Sequence, residues 1–291
     1  MFLDENTVRS RLRMEELIPA MHRALRDLSA GQVVQPMRVV LPIEEHNGFF
    51  GVMPAYCGAL GAKLVTFYPG NKDMHTHHAT ILLFDPKTGA PLVAMDGRLI
   101  TEMRTAAVSA VATDLLAGKE TQVLAILGSG VQARSHLEAL RIVRKFREVR
   151  VWSPRNAREF ARQHEVTAAG SAREAVEGAD VVVVATAATS PVLNGEWVKP
   201  GAHINAVGAT RPNWRELDDE LLRKARIYVE SREAATRESG DVIASGKPLT
   251  EIGEVEVGSG NGRESDQEIT LFKSVGVAVE DVVAADLVRR G

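Results

Sequence analysis

Val123-Leu124-Ala125-Ile126-Leu127-Gly128-Ser129-Gly130-Val131-Gln132-Ala133 carries an apolar run into a glycine turn. The next residues, Arg134 to Leu140, hold apolar side chains at helical spacing. A buried strand, a Gly-x-Gly-x-x-Ala turn and a helix in that order form the context in which such a string reads as a dinucleotide-binding turn. Gly128 allows the tight turn, Gly130 lets the backbone approach a pyrophosphate, and Ala133 lets helix and strand pack closely. The helix start then presents N–H groups and partial positive charge to the anion. A plain structural turn is the alternative reading, and the surrounding pattern weighs against it.

Outward from this turn, apolar runs at Val149–Trp152, Val181–Ala185, His203–Val207 and Ile227–Val229 alternate with helical patterns. Strands separated by helices imply a parallel, doubly wound α/β sheet. Coverage on both faces explains the unbroken Val181-Val182-Val183-Val184. The first hundred residues differ. A helix is expected over Glu15–Leu28, then strands at Met37–Leu41, Phe49–Met53 and Lys63–Phe67. A hairpin follows, of Thr80–Phe84 with Pro91–Met95, and then a helix from Thr101 to Leu116. This is an α+β pattern. Residues 248–266 read as a surface loop, and residues 275–290 as an amphipathic helix.

With 45% hydrophobic and 25% charged residues the chain has an ordinary globular composition. A net charge of −3 gives no electrostatic reason to expect nucleic acid or an anionic membrane as partner. Cys57 is the one cysteine, so no intrachain disulfide forms. The start, Met1 to Asn6, lacks a basic stretch followed by an apolar one. A cytoplasmic enzyme is the expectation. His75, His77 and His78 match no zinc spacing, so no metal is expected.

The residue at the end of the second strand of such a sheet discriminates NAD from NADP. Here Ser153-Pro154-Arg155-Asn156 follows Trp152, with no carboxylate until Glu159. Ser153 with Arg155 or Arg158 suits a 2′-phosphate, which favours NADPH, with NADH as the alternative.

Longer strings carry a resemblance. They include Gln35-Pro36-Met37-Arg38, Gly51-Val52-Met53-Pro54-Ala55-Tyr56, Lys63-Leu64-Val65-Thr66-Phe67-Tyr68 and Arg104-Thr105-Ala106-Ala107-Val108-Ser109-Ala110. Gly195 to Ala209, Trp214 to Leu221, Glu238-Ser239-Gly240-Asp241-Val242 and Phe272-Lys273-Ser274 continue it. Across nearly its whole length the chain resembles the ornithine cyclodeaminase/mu-crystallin family. The resemblance implies a homodimer, with residues 1–117 binding substrate and making the dimer interface, and residues 275–291 packing back on them. Residues 118–274 would be a Rossmann-type domain.

The resemblance also implies roles. Arg38, Lys63, Arg104 and Thr210 would line the substrate pocket, with Lys63 and Arg104 catalytic. Thr76, His77, His78, Arg104, Gly128, Gly130, Val131, Gln132, Ser153, Arg155, Thr186, Val207 and Ser274 would meet the cofactor. Arg104 is placed in the first turn of its helix, where a cation opposes the macrodipole. Two nearby arginines would lower the pKa of Lys63, leaving it either a proton donor or part of an anion clamp. Asp241 either braces a loop or touches substrate.

Family cyclodeaminases carry an aspartate and a lysine where this chain has Thr210 and Trp214. Threonine cannot shuttle a proton near neutral pH as a tuned carboxylate can. The resemblance therefore implies reduction of a cyclic ketimine carboxylate to an amino acid such as proline or pipecolate. The alternatives are an alanine-type or N-alkyl amino-acid dehydrogenase, and an NADPH-dependent binding protein for a thyroid-hormone-type ligand.

Overall fold

Alternating small and apolar residues near the start of the chain build a sheet with a buried face. Its strands are β1 (Phe2–Leu3), β2 (Val39–Ile43), β3 (Gly48–Tyr56), β4 (Leu60–Phe67), β5 (His77–Phe84) and β6 (Pro91–Asp96). They lie in the order β1-β6-β5-β4-β3-β2, antiparallel apart from the parallel β1–β6 pair. Met53 and Ala55 of β3 are buried with Ala79, Ile81 and Leu83 of β5, the period-2 signature of a half-buried sheet. The edge strand β2 carries Pro42, whose missing N–H is tolerated at an edge.

The computed structural model describes Met1–Gly291 and divides it into two units. The first unit is Met1–Arg104 with Gly276–Gly291, and the second is Thr105–Val275. In the first, α1 (Glu5–Arg11) precedes α2 (Met14–Ser29), which buries Leu17, Met21 and Leu25. The terminal helix, Ala278–Arg290, packs on α2 and on β3, β4 and β5. Val279, Val282, Ala284, Ala285 and Val288 of this helix are buried together with Glu280 and Asp281. The division between units falls inside α3 (Arg98–Leu116), well before residue 117. That helix also starts earlier than expected.

The second unit is an all-parallel sheet. Its strands are β7 (Val123–Leu127), β8 (Glu148–Trp152), β9 (Thr167–Ala168), β10 (Val181–Val184), β11 (His203–Ala206), β12 (Arg226–Val229), β13 (Leu249–Glu251) and β14 (Thr270–Lys273). The order is β13-β12-β14-β11-β10-β7-β8-β9. Every residue of β7, β10, β11 and β14 is buried, as coverage on both faces requires. Residues 248–266 are not a plain loop, since they contain β13 and a short helix, Ile252–Val257. No helix is long and apolar enough to cross a membrane.

Candidate active site

The carboxyl ends of parallel strands are where doubly wound sheets bind ligands. β7 ends at Leu127, and Gly128 follows with φ +127, a conformation that L side chains rarely adopt. A Cβ there would collide with the carbonyl of Ala185. α4 (Val131–Val143) starts after Gly130, whose side is open space. No side chain caps that start, and Gln132 Oε1 is buried in its first turn without a hydrogen-bond partner. Uncapped first-turn N–H groups, an open glycine and an orphaned acceptor suit a pyrophosphate and its ribose. The dinucleotide fits the residues present.

The other cofactor candidates of this unit sit at the same end. Ser153 follows β8, and its hydroxyl lies 2.8 Å from that of Ser129. Thr186, Val207 and Ser274 follow β10, β11 and β14. Ends of strands adjacent in the sheet thus carry all of them. Arg155 is exposed, as is Arg158, while Glu159 is engaged by Arg162 and Gln163. Thr210 is exposed beyond β11, and the Arg211 guanidinium stacks over Trp214 at 5.3 Å.

Beneath this end lies a buried carboxylate to which the sequence reading assigns no role. Glu216 accepts from the backbone N–H and hydroxyl of Thr186 through Oε1, and from Gly208 and Ala209 through Oε2. It therefore ties the chain after β10 to the chain after β11. Any Cβ at Gly208 would strike it. Lys273 lies 3.6 Å from Glu216 and 3.3 Å from Asp241, all three fully or almost fully buried. Asp241 accepts from the N–H groups of Glu216 and Leu217, so it braces the loop.

In the first unit the basic candidates form one cluster. Lys63, in mid-β4 between Met53 and Ile81, is 2% exposed, and its Nζ lies 2.5 Å from Asp281 Oδ2. Arg104 donates from Nη1 to Glu280 Oε2 at 2.7 Å and from Nε to Asp281 Oδ1 at 3.2 Å. Arg38 donates to the carbonyl of Gly276, and Val279 N–H donates to Gln35 Oε1 at 2.9 Å. The Gln35–Arg38 segment thus secures the start of the terminal helix. Gly276, at φ +73, leaves no room for a Cβ against the Arg104 guanidinium. Three cations thus gather about the start of the terminal helix, two of them paired with its carboxylates.

Burial pushes the Lys63 ammonium down to about 8, with Arg104 and Arg38 adding to the effect and Asp281 opposing it. Burial would raise Asp281, but Lys63 and Arg104 hold it below the ordinary carboxylate range. Desolvation, then Lys63 and Arg104, lower His77 to about 4, so that imidazole is neutral. Thr76 and His78 are exposed beside it at the start of β5. No group of three or more His, Cys, Asp or Glu side chains is arranged to hold a metal.

One expectation needs correction. Arg104 is not in the first turn of a helix beginning at Thr101, because α3 begins at Arg98. Its placement answers to Glu280 and Asp281 rather than to the macrodipole. Those two acids are themselves missing from the sequence-based site. Their signal was present: adjacent acids inside the apolar run Val275 to Ala285 require buried partners.

A parallel sheet with a phosphate-type turn in one unit, and a basic cluster in the other, define a two-unit dinucleotide-binding α/β protein. The chain belongs to the ornithine cyclodeaminase/mu-crystallin family, whose model matches residues 1–290. It is 53% identical over 301 residues to the ketimine reductase mu-crystallin of Mus musculus, covering 99% of this chain and 96% of that protein. The solved Δ1-pyrroline-2-carboxylate reductase of Thermococcus litoralis, in complex with NADH and L-proline, matches with TM-score 0.93 at 41% identity. That match spans 100% of this chain and 96% of the other. An archaeal alanine dehydrogenase dimer with bound NAD matches with TM-score 0.94 at 38% identity, over 100% and 95% of the two chains.

Proposed function

We propose that this chain is an NAD(P)H-dependent oxidoreductase that reduces cyclic ketimine carboxylates, such as piperideine-2-carboxylate and pyrroline-2-carboxylate, to L-pipecolate and L-proline. The observation that carries the reading is the gathering of buried Lys63 and Arg104 with half-buried Arg38 about the start of the terminal helix. Two guanidinium groups and an ammonium in one cluster suit a substrate carboxylate. Arg38 and Arg104 hold the substrate carboxylate, which orients the imine carbon. A nicotinamide dinucleotide, when bound, supplies the hydride. Lys63 Nζ gives a proton to the imine nitrogen as the C=N π pair moves onto it. The product is a secondary amine, and Lys63 regains its proton from water. Neutral His77 keeps further positive charge away from Lys63.

Gly128, Gly130, Val131 and Gln132 would hold the pyrophosphate, with Thr186, Val207 and Ser274 lining the same strand ends. NADPH is the favoured form, because Ser153, Arg155 and Arg158 stand where a carboxylate would select NAD. Thr76, His77, His78 and Arg104 are further candidate cofactor contacts, and Thr210 a candidate substrate contact. Thr210 also argues against ornithine cyclisation, having no proton to exchange near neutral pH.

Exposed Val39, Val40 and Leu41 on the edge strand β2 favour a homodimer built on that edge. A single free cysteine suits a reducing cytoplasmic compartment. The decisive experiment measures NADPH oxidation with piperideine-2-carboxylate, with pyruvate plus ammonia, and the release of ammonia from ornithine. Turnover confined to the cyclic imine is expected. Faster turnover of pyruvate plus ammonia would make the protein an amino-acid dehydrogenase instead, and ornithine turnover would overturn the reading of Thr210.

A further inference from the structure

Asp281 occupies an unusual place in the cluster. Its two oxygens are divided between two cations from different elements: Oδ2 faces Lys63 of β4, and Oδ1 faces Arg104 of α3. The start of its helix is held by the Val279 N–H bond to Gln35 and by the Arg38 bond to the Gly276 carbonyl. The side chain is fully buried between the groups it pairs, with no surface role to explain it. From these contacts we infer that Asp281 is a positioning residue, which spaces the Lys63 ammonium from the Arg104 guanidinium and keeps Lys63 protonated for transfer to the imine nitrogen. The inference rests on the ketimine-reductase reading, and it adds a residue that acts through Lys63 without touching substrate.

The physical argument is one of opposing fields. Lys63 faces Asp281 from the terminal helix, Arg104 (itself paired with Glu280) from α3, Arg38 from the segment before β2, and His77 from β5. Its strand neighbours Met53 and Ile81 are apolar. Burial and two guanidinium groups all drive Lys63 toward the neutral amine, which has no proton to give. Asp281 is the carboxylate in contact with Nζ, and its pull leaves the ammonium titrating at about 8. Asp281→Asn removes that pull at nearly constant volume. The Lys63 pKa must then fall, and the active ammonium form disappears at lower pH.

The test compares kcat/KM for piperideine-2-carboxylate between pH 5.5 and 10 in the wild type, Asp281→Asn and Asp281→Glu. The substrate's own titration is common to all three. In Asp281→Asn the alkaline limb should move at least one pH unit toward acid, with kcat at pH 8 falling about fivefold or more and a smaller loss at pH 6. Asp281→Glu should return the limb to within a few tenths of a unit of the wild type. A limb that stays in place in Asp281→Asn overturns the inference while leaving the reductase reading intact. Absence of turnover by the wild type overturns the reductase reading.

Lys63 is therefore also titrated directly, by side-chain NMR of 15N-lysine-labelled protein, its signal assigned by Lys63→Arg. A Lys63 pKa that does not fall in Asp281→Asn overturns the inference whatever the activity. Should Asp281→Asn fail to fold, Asp281→Glu decides. Its Lys63 titration should stay within a few tenths of a unit of the wild type while its kcat falls, and an unchanged kcat would overturn the spacing role.

Discussion

Arg104 Nη1 donates to Glu280 Oε2 at 2.7 Å, and both side chains are almost wholly out of solvent. The guanidinium is therefore a structural counter-charge as well as a candidate substrate clamp. The two roles cannot be separated by deletion.

Replacing Arg104 by Met leaves Glu280 and Asp281 buried with one cation fewer. Removing one partner of such a pair destabilises by about 3–5 kcal/mol. Urea unfolding of Arg104→Met should show a loss of that order, together with at least a tenfold fall in ketimine reduction. Unchanged stability would mean that the carboxylates are protonated or hydrated, and that Arg104 is only a clamp.

Alkaline pH should affect activity and stability in opposite directions through Lys63. Its folded pKa, about 8, lies below the ordinary 10.5. The unfolded chain therefore binds more protons between those values, and stability from this group rises with pH across that window. Each pKa unit corresponds to about 1.4 kcal/mol. Rate loss above pH 8 should accordingly be reversible, with circular dichroism unchanged at pH 9.

Acid should weaken the second unit for a different reason. Burial lowers His136 to about 4 and His203 to about 3, from an ordinary 6.5. His136 is wedged between the Gln132 carbonyl and the Ser109 hydroxyl, and His203 between Thr270 and Asn205. Both are neutral in the fold and become protonated on unfolding. Their stabilisation is complete above pH 6.5 and falls as the pH drops toward 4, by about 1.4 kcal/mol per unit for each. The slope of stability against pH should flatten in His136→Gln.

Cofactor choice should turn on the exposed basic residues after β8. Loss of a charge-assisted phosphate contact costs about 1.5–3 kcal/mol, or roughly ten- to over a hundredfold in binding. The ratio of kcat/KM for NADPH to that for NADH should fall by that factor in Arg155→Asp. If the ratio moves only in Arg158→Asp, the contact belongs to Arg158.

Val40→Glu on the β2 edge should convert a dimer to monomer in analytical ultracentrifugation. Sedimentation of the wild type as a monomer would remove the β2 edge from the reading.

The parallel sheet was legible because β7 and β10 are unbroken apolar runs and helical patterns separate the strands. β14 was not, because Thr270-Leu271-Phe272-Lys273 mixes polar and apolar residues and enters the middle of the sheet, between β11 and β12. Its Lys273 is buried by pairing with Glu216 and Asp241, contacts set by tertiary structure alone. Arg38, Lys63 and Arg104 were identified by resemblance, and the structure gathers them about the terminal helix. Asp281 escaped notice because an acidic residue in a first helical turn already has an ordinary explanation in the macrodipole. Only the fold reveals that this turn faces inward.

The two units also differ in when they can be completed. Thr105–Val275 is one uninterrupted stretch, whereas the first unit needs residues 276–291 in addition to the opening 104. During synthesis from the N-terminus, the sheet bearing Lys63 is made long before the helix that neutralises it. Until Glu280 and Asp281 arrive, Lys63 and Arg104 repel one another, and closing that face over them is unfavourable. The later segment thus acts as a timing device. The basic surface stays hydrated while the contiguous unit forms, and it is sealed only when its own counter-charges have been translated.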